Sequence, residues 1–303
     1  MFELEESLND RAALYQLMIF VVLSIVIFSV VHLLIRPFER LVASVGHVAE
    51  GNLDEDIAED TYRETKEISG VINKTLDKLK SVEQSRQEFV SNVSHELKTP
   101  ITSIRVLADS LMGMEEAPKE LYQEFMQDIS DEIDRESKII DDLLNLVKMD
   151  KVSQENSFAP VQINGLVEMI LKRLRPIARK RNIELIFESM REVTADIDEV
   201  KFSLAVNNLV ENAVKYNRED GWVRVTLDAD HKFFYLKVAD SGIGIPKELT
   251  ERVFERFYRV DKARSRETGG TGLGLSITKA ILINHGFPFG VDSEPGKGSI
   301  FWF

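Results

Sequence analysis

The most uniform pattern in the chain is an apolar run, LYQLMIFVVLSIVIFSVVHLLI, from Leu14 to Ile35. It carries no Asp, Glu, Lys or Arg and is long enough to cross a bilayer as one helix. Apolar positions then recur at helical spacing, first at Leu41, Val45 and Val48, then at Ile68, Ile72, Leu76 and Leu79. Two short amphipathic helices on either side of a connector at Gly51–Asp60 fit that pattern. From Gln84 a longer stripe begins: Phe89, Val93, Leu97, Ile101 and Ile104, carried on by Leu107 and Leu111. Gly113 is placed to end that helix, and Pro118 to sit in the first turn of the next. The second helix would carry Phe125, Ile129, Ile133, Ile140, Leu143, Leu144 and Val147.

Past the hydrophilic MDKVSQENSFAP the period changes. Helical runs at Val161–Arg181 and Val200–Tyr216 alternate with strand-like IELIFES, WVRVTLD and FFYLKVAD, and SIFWF closes the chain. The expected architecture is multidomain. A transmembrane helix leads to a helical linker, then to a helical hairpin that buries its stripes as a four-helix bundle in a dimer. An α/β sandwich follows, with one layer of helices on a mostly antiparallel sheet.

Composition narrows the function classes. The chain has 303 residues and no cysteine, which excludes disulfides and thiolate metal sites and favours a cytoplasmic setting for most of it. A formal charge of −13 argues against a nucleic-acid partner, which needs a basic surface to displace counterions. The segment FELEESLND ahead of the apolar run is acidic, unlike the basic start of a cleaved secretion signal, while Arg36 and Arg40 follow it. The positive-inside rule then puts residues 1–13 outside and everything after Arg36 in the cytoplasm.

Within NVSHELKTP, His95 falls off the apolar stripe and faces solvent, with Glu96 beside it. A solvated His–Glu pair is the plain interpretation, and on its own the better one. Chemically the pair suits nucleophilic attack by the imidazole, with Glu96 taking the ring proton. Thr99 shares the face of His95 and is placed to orient a water, and Pro100 interrupts the helix beside them. In the second half, NNLVENAVKY sets Asn208 and Asn212 four residues apart, ahead of Lys215 and Tyr216. Their amides suit a magnesium ion already carrying phosphates, the lysine a phosphate, and the tyrosine ring a flat apolar surface. DSGIGIP places Asp240 after a buried strand, where it can accept from an exocyclic amine such as that of adenine. GGTGLGLSI is a glycine-rich start to a helix, a natural phosphate cradle. Alone, each is weak: asparagine pairs cap helices, and this loop lacks both the GK[ST] ending and the βαβ setting of other phosphate loops.

Taken in order, these stretches resemble bacterial two-component sensor histidine kinases of the membrane. FVSNVSHELKTPITSI is similar to the family's H box, NLVENAVKY to its N box, DSGIGIP to G1, FERFYRVD to the F box and GGTGLGLSI to G2. RPFER after the apolar run and KEISGVINKTLDKL resemble a HAMP linker. The resemblance implies a HisKA-type dimerisation domain and an ATP-binding domain of the Bergerat type. It implies that His95 takes a phosphoryl group from ATP and passes it to an aspartate on the receiver domain of a response regulator. Glu96 would be the general base, and Thr99 would serve the reverse dephosphorylation. Asn212 would bind Mg2+, with Asn208 and Lys215 near the phosphates and Tyr216 by the base. Asp240 would read adenine, Gly242 and Gly244 would allow the close turn, and Arg259 would meet the terminal phosphate. Gly270, Thr271, Gly272, Leu273 and Gly274 would shape the ATP lid.

The domain boundaries expected are an external tail at 1–13, a membrane helix at 14–35, a HAMP-like linker at 36–83 and a dimerisation and phosphotransfer domain at 84–150. A linker at 151–160 and a catalytic domain at 161–303 complete the chain. Homodimerisation follows, on the bacterial inner membrane. With so short a tail, sensing is expected within the membrane or through a membrane partner, unless the sequence is incomplete at its start; a short piece after FWF is also expected to be missing. Phe287 stands where the family's usual glycine follows NHG, so HGFPFGV must turn in its own way. The rival classes are a non-catalytic ATP-binding scaffold and a chaperone- or topoisomerase-type ATPase. Neither has a use for the His95–Glu96 pair.

Overall fold

The computed structural model describes residues 2–49, 52–54, 56–58, 61–114, 118–150, 157–261 and 270–303. It divides into two units, residues 1–90 and 91–303. In the first, α1 (Phe2–Ala49) is one unbroken helix. Leu14–Ala49 is long and apolar enough to cross a membrane. Pro37, in the RPFER stretch after the apolar run, lies inside the helix. Likewise α2 (Arg63–Met112) is continuous from the predicted linker helix into the histidine-bearing helix, through Pro100.

A small core ties the first unit together. Leu41 of α1, Ile57 of the connector and Leu76 of α2 are buried against one another, with Val48, Leu53 and Ile72 packed around them. Asn73 satisfies the backbone of Ile57 on both sides. Its amide nitrogen donates to Ile57 O at 3.1 Å and its oxygen accepts from Ile57 N at 3.1 Å. Val45, Ile68 and Leu79, which share the predicted stripes, stay exposed.

In the second unit α2 ends at Met112, Gly113 forms the turn, and α3 (Lys119–Asp150) follows Pro118. Much of the stripe predicted on α3 for burial in a dimer is uncovered on one copy. Ile133, Ile140, Leu144 and Val147 are exposed, whereas Ile139 and Leu146 are buried. The reason is that α3 has a second working face, which meets a helix of the α/β domain.

That domain begins with β1 (Ala159–Gln162) paired to β3 (Thr194–Ile197). Helices α4 (Ile163–Arg179), α5 (Glu199–Lys215) and α6 (Gly274–Asn284) accompany a five-stranded sheet. The sheet order is β2 (Glu184–Ser189), β4 (Trp222–Ala229), β5 (Phe234–Asp240), β7 (Gly298–Trp302), β6 (Gly290–Glu294). Only β2–β4 is parallel; β4–β5, β5–β7 and β6–β7 are antiparallel. Strand alternation turns Val223, Val225 and Leu227 of β4 and Leu236 and Val238 of β5 into the core beneath the helices. Phe202 of α5 is fully buried and meets Phe234, Phe287 and Phe303 at centroid distances of 6.1, 6.4 and 5.7 Å. Phe287 thus becomes a core residue, while Gly286 before it takes the left-handed turn at φ 71°.

Candidate functional site

The period of β5 that buries Leu236 and Val238 carries Asp240 inward as well. It ends the strand 8% exposed, opposite Val223 of β4 and Ser299 of β7. Its carboxylate accepts from Gly242 N at 2.8 Å and from the Ser299 backbone. Burial outweighs these bonds and pushes its pKa up to about 6. Helix α5 starts from an Asp198 cap, accepting from Lys201 N at 3.1 Å, and buries Phe202, Val206, Leu209, Val210 and Val214. That leaves Asn208, Asn212 and Lys215 on the side facing a cavity of about 170 Å³. Asp240, Gly244, Tyr216, Arg259, Gly270, Thr271, Gly272 and Gly274 line the same cavity.

Close backbone approach explains two glycines. A Cβ on Gly242 would lie 2.4 Å from Tyr216 O. Gly244 has φ 70°, and a Cβ there would meet Glu294 O at 2.0 Å. Gly274 is different, since a Cβ would find ordinary contact with Asn208, 3.7 Å away. Asn208 itself donates to Gly274 O at 3.2 Å, tying α5 to the start of α6. Leu273 is buried, and Phe257 N donates to Gly272 O at 2.9 Å, so the FERFYRVD and GGTGLGLSI stretches are joined by backbone. Positions 262–269 between them, including the first glycine of that loop, lie outside the described residues.

Lys215 has its pKa lowered to about 8, chiefly by burial, with the cations Lys138, Arg259 and Arg135 adding to the effect and Glu211 opposing it. Its ammonium also lies 5.4 Å from the Tyr216 ring centroid.

On α2, His95 and Thr99 are exposed and Glu96 is half-buried. Thr99 Oγ1 donates back to His95 O at 3.1 Å. Glu96 does not stand apart from the cavity: Arg259 Nη2 donates to its Oε2 at 2.7 Å, with the arginine side chain 7% exposed. Arg259 Nε is buried without a partner. Arg259, which lines the cavity, thus links it to the helical turn that bears His95.

Sequence reasoning missed the contribution of α3. Lys138 and Asp142 line the cavity. Thr271 Oγ1 donates to Asp142 Oδ2 at 2.7 Å, and Lys138 pairs with Glu211 at 2.5 Å. Burial raises the pKa of Asp142, partly offset by the bond from Thr271. The only signal was the four-residue spacing of Lys138 and Asp142, which reads equally well as a solvated helix face.

The donor set suits a nucleotide with its own divalent ion. Among the described residues no group of three or more His, Cys, Asp or Glu side chains is placed to hold a metal. Asn212 offers a hard amide oxygen in the cavity, the kind of ligand magnesium takes when phosphates and waters complete its shell.

Two family models match the chain. Residues 85–151 match the His Kinase A phospho-acceptor domain, and residues 197–303 match the histidine kinase-, DNA gyrase B- and HSP90-like ATPase. A phosphoacceptor helix pair followed by an ATPase domain defines the class, a protein-histidine kinase. The chain carries both of these histidine kinase domains, in that order, and is similar to bacterial sensor histidine kinases. The sensor histidine kinase WalK of Bacillus subtilis is 37% identical over 80% of this chain and 40% of its own. The phosphate regulon sensor protein PhoR of Pseudomonas aeruginosa is 33% identical over 80% of this chain and 60% of its own. The chain thus spans less than two thirds of the length of either relative. Among solved structures, histidine kinase ThkA in complex with response regulator TrrA is similar, at 25% identity and TM-score 0.57 over 75% of this chain and 65% of its own. Full-length ShkA in complex with AMPPNP is similar at 28% identity and TM-score 0.54, over 71% of this chain and 45% of its own. A helix long and apolar enough to cross a membrane, within Leu14–Ala49, lies ahead of these domains.

Proposed function

We propose that the chain autophosphorylates His95 from Mg-ATP and passes the phosphoryl group to an aspartate of a response-regulator receiver domain. It would also dephosphorylate that regulator with the help of Thr99. The observation that carries this reading is the 2.7 Å bond from Arg259, a residue of the nucleotide cavity, to Glu96, the immediate neighbour of the exposed His95.

In this reading Asp240 accepts from the adenine amine, and Tyr216 flanks the base. Lys215 and Arg259 neutralise the phosphates, and Asn212 with Asn208 holds the magnesium–phosphate end. Magnesium, when bound, neutralises charge on the phosphate oxygens. One ring nitrogen of His95 bonds to the γ-phosphorus as the bond from that phosphorus to the β–γ bridging oxygen breaks, and ADP leaves. The proton on the other ring nitrogen is held by Glu96. In the arrangement described here Arg259 occupies the Glu96 carboxylate, so the two proposed catalytic groups neutralise each other. Transfer asks for an exchange of partners, in which the γ-phosphate takes the guanidinium and the imidazole takes the carboxylate.

Homodimerisation is supported by the apolar surface that one copy leaves uncovered, including Ile101, Ile133, Ile140 and Val147. The N-terminus is assigned to the outside and the catalytic domains to the cytoplasm by Arg36 and Arg40 after the apolar run.

The test is autophosphorylation with labelled ATP and magnesium, with His95→Gln and Asn212→Ala beside the unaltered chain. Acid-labile, base-stable label lost in both variants is the expected result. Label persisting in His95→Gln, or magnesium-dependent hydrolysis with no labelled protein, overturns the proposal.

A further inference from the structure

The loop that leaves α5 is stitched to the turn that follows β5. Asn217 is fully buried and each polar atom of its side chain has a partner. Its amide nitrogen donates to Trp222 O at 2.9 Å, and its oxygen accepts from Arg218 N at 2.9 Å and Ser241 Oγ at 3.0 Å. Ser241 Oγ in turn accepts from Trp222 N at 2.9 Å. The Arg218 guanidinium reaches over the turn and donates to Gly242 O from Nε at 3.4 Å and from Nη2 at 3.3 Å, and to Gly296 O as well. Ile243 N donates to Tyr216 O at 3.1 Å, and Gly296 N to Ile243 O at 2.8 Å, closing the stitch with backbone.

None of Asn217, Arg218 and Ser241 lines the nucleotide cavity. Among their bonds are ones to both residues that follow Asp240, Ser241 and Gly242, and Gly242 N is itself a donor to the Asp240 carboxylate. A shift of the Gly242 peptide therefore moves the one bond that orients that carboxylate within its own turn. Asn217 and Arg218 directly follow Lys215 and Tyr216, so one short loop sets both the adenine end and the phosphate end of the cavity.

We propose that Asn217 and Arg218 are positioning residues for purine specificity: they fix the 240–243 turn so that Asp240 meets the exocyclic amine of ATP, and purine triphosphates lacking that amine are rejected. The proposal rests on the reading of Asp240 as the adenine acceptor. Asn217 supplies the buried anchor, and Arg218 supplies charge-assisted bonds to two carbonyls that a neutral side chain cannot span.

The experiment measures dissociation constants of ATP and inosine triphosphate for the full chain in detergent, by displacement of a fluorescent nucleotide. In Arg218→Gln the preference for ATP over inosine triphosphate is expected to fall about ten-fold, chiefly through weaker ATP binding. Arg218→Lys, which keeps one donor to the carbonyls, should recover part of it. Ser241→Ala, which deletes a single atom, should lower the preference by about three-fold and serves should the arginine variant fold poorly. A fold defect alone would weaken both nucleotides equally, and that result, or an unchanged ratio, overturns the proposal. Asp240→Asn separates the two readings. If its ratio collapses while those of Arg218→Gln and Ser241→Ala hold, the positioning role fails alone; if its ratio holds, the adenine assignment fails and the positioning role with it.

Discussion

Asp240 should cost the empty domain stability, and Asp240→Asn should return it. The carboxyl is 8% exposed and burial pushes its pKa up to about 6, against about 3.9 for an ordinary aspartate. At about 1.4 kcal/mol per pKa unit, holding it ionised in the folded state costs about 3 kcal/mol. The asparagine oxygen can still accept from Gly242 N, but its amide would face the Ser299 donor, at a cost of about 1 kcal/mol. A net gain of about 1–2 kcal/mol at pH 7.5 is expected for the variant without nucleotide. The sign follows from the direction of the shift. The folded state holds the Asp240 proton more tightly than the unfolded chain does, so the wild-type domain loses stability as pH rises from about 4 to about 6. Above about 6 the whole penalty is present; the asparagine variant lacks that slope. Urea unfolding of the full chain followed by tryptophan emission reads this domain alone, because both tryptophans, Trp222 and Trp302, lie in its sheet. A variant less stable than wild type at pH 7.5, or a gap of the same size at pH 5 and pH 7.5, would refute the reasoning.

The ammonium of Lys215, depressed to about 8 by burial, should regain its proton when a triphosphate arrives. Calorimetry of ATP binding near pH 8 in buffers of different ionisation heat should report proton uptake; none would remove Lys215 from the phosphate site. Thr99→Ala should slow dephosphorylation of a phosphorylated receiver domain by about ten-fold or more, read as loss of label from the regulator over time. Gly244→Ala should destabilise the domain by more than about 2 kcal/mol, because left-handed backbone and contact with Glu294 O coincide there; a shift in the urea midpoint measures it.

Periodicity made most of the architecture legible, because helices and strands advertise their buried faces at fixed spacing. The shared face of the α5 asparagines follows from their four-residue spacing, and the inward Asp240 from its phase with Leu236 and Val238. Helix continuity was not legible. A membrane helix at 14–35 and short linker helices were read from the change of pattern, yet α1 runs on through Pro37, since a proline removes one backbone donor without forbidding the turns on either side. The second face of α3 was hidden for another reason. Ile139, Asp142 and Leu146 become one face only when a domain lies against them, and the partners Thr271 and Glu96 are 129 and 163 positions away from Asp142 and Arg259 respectively. Contacts of that kind depend on how rigid pieces dock, which leaves no repeat in the sequence.

The charge distribution reconciles a net charge of −13 with the triphosphate site proposed for the cavity. Lys215, Lys138, Arg259 and Arg135 stand close enough together that the last three help to depress the pKa of the first. They come from two helices of the ATPase and phosphoacceptor parts and from the FERFYRVD stretch, so no run of basic residues betrays them. Lys215, Lys138 and Arg259 line one cavity, where they repel one another, and a polyanion relieves that repulsion. Asp240 at the other end is held ionised at a cost that an amine donor would offset. The charges at both ends of the cavity are thus of the sign that a nucleotide offsets, and nucleotide binding should stabilise the fold. Screening makes the global charge irrelevant to so small a ligand. At physiological ionic strength, fields decay over about 8 Å, so a nucleotide in the cavity meets chiefly its lining, whereas a nucleic acid would lie along the acidic surface.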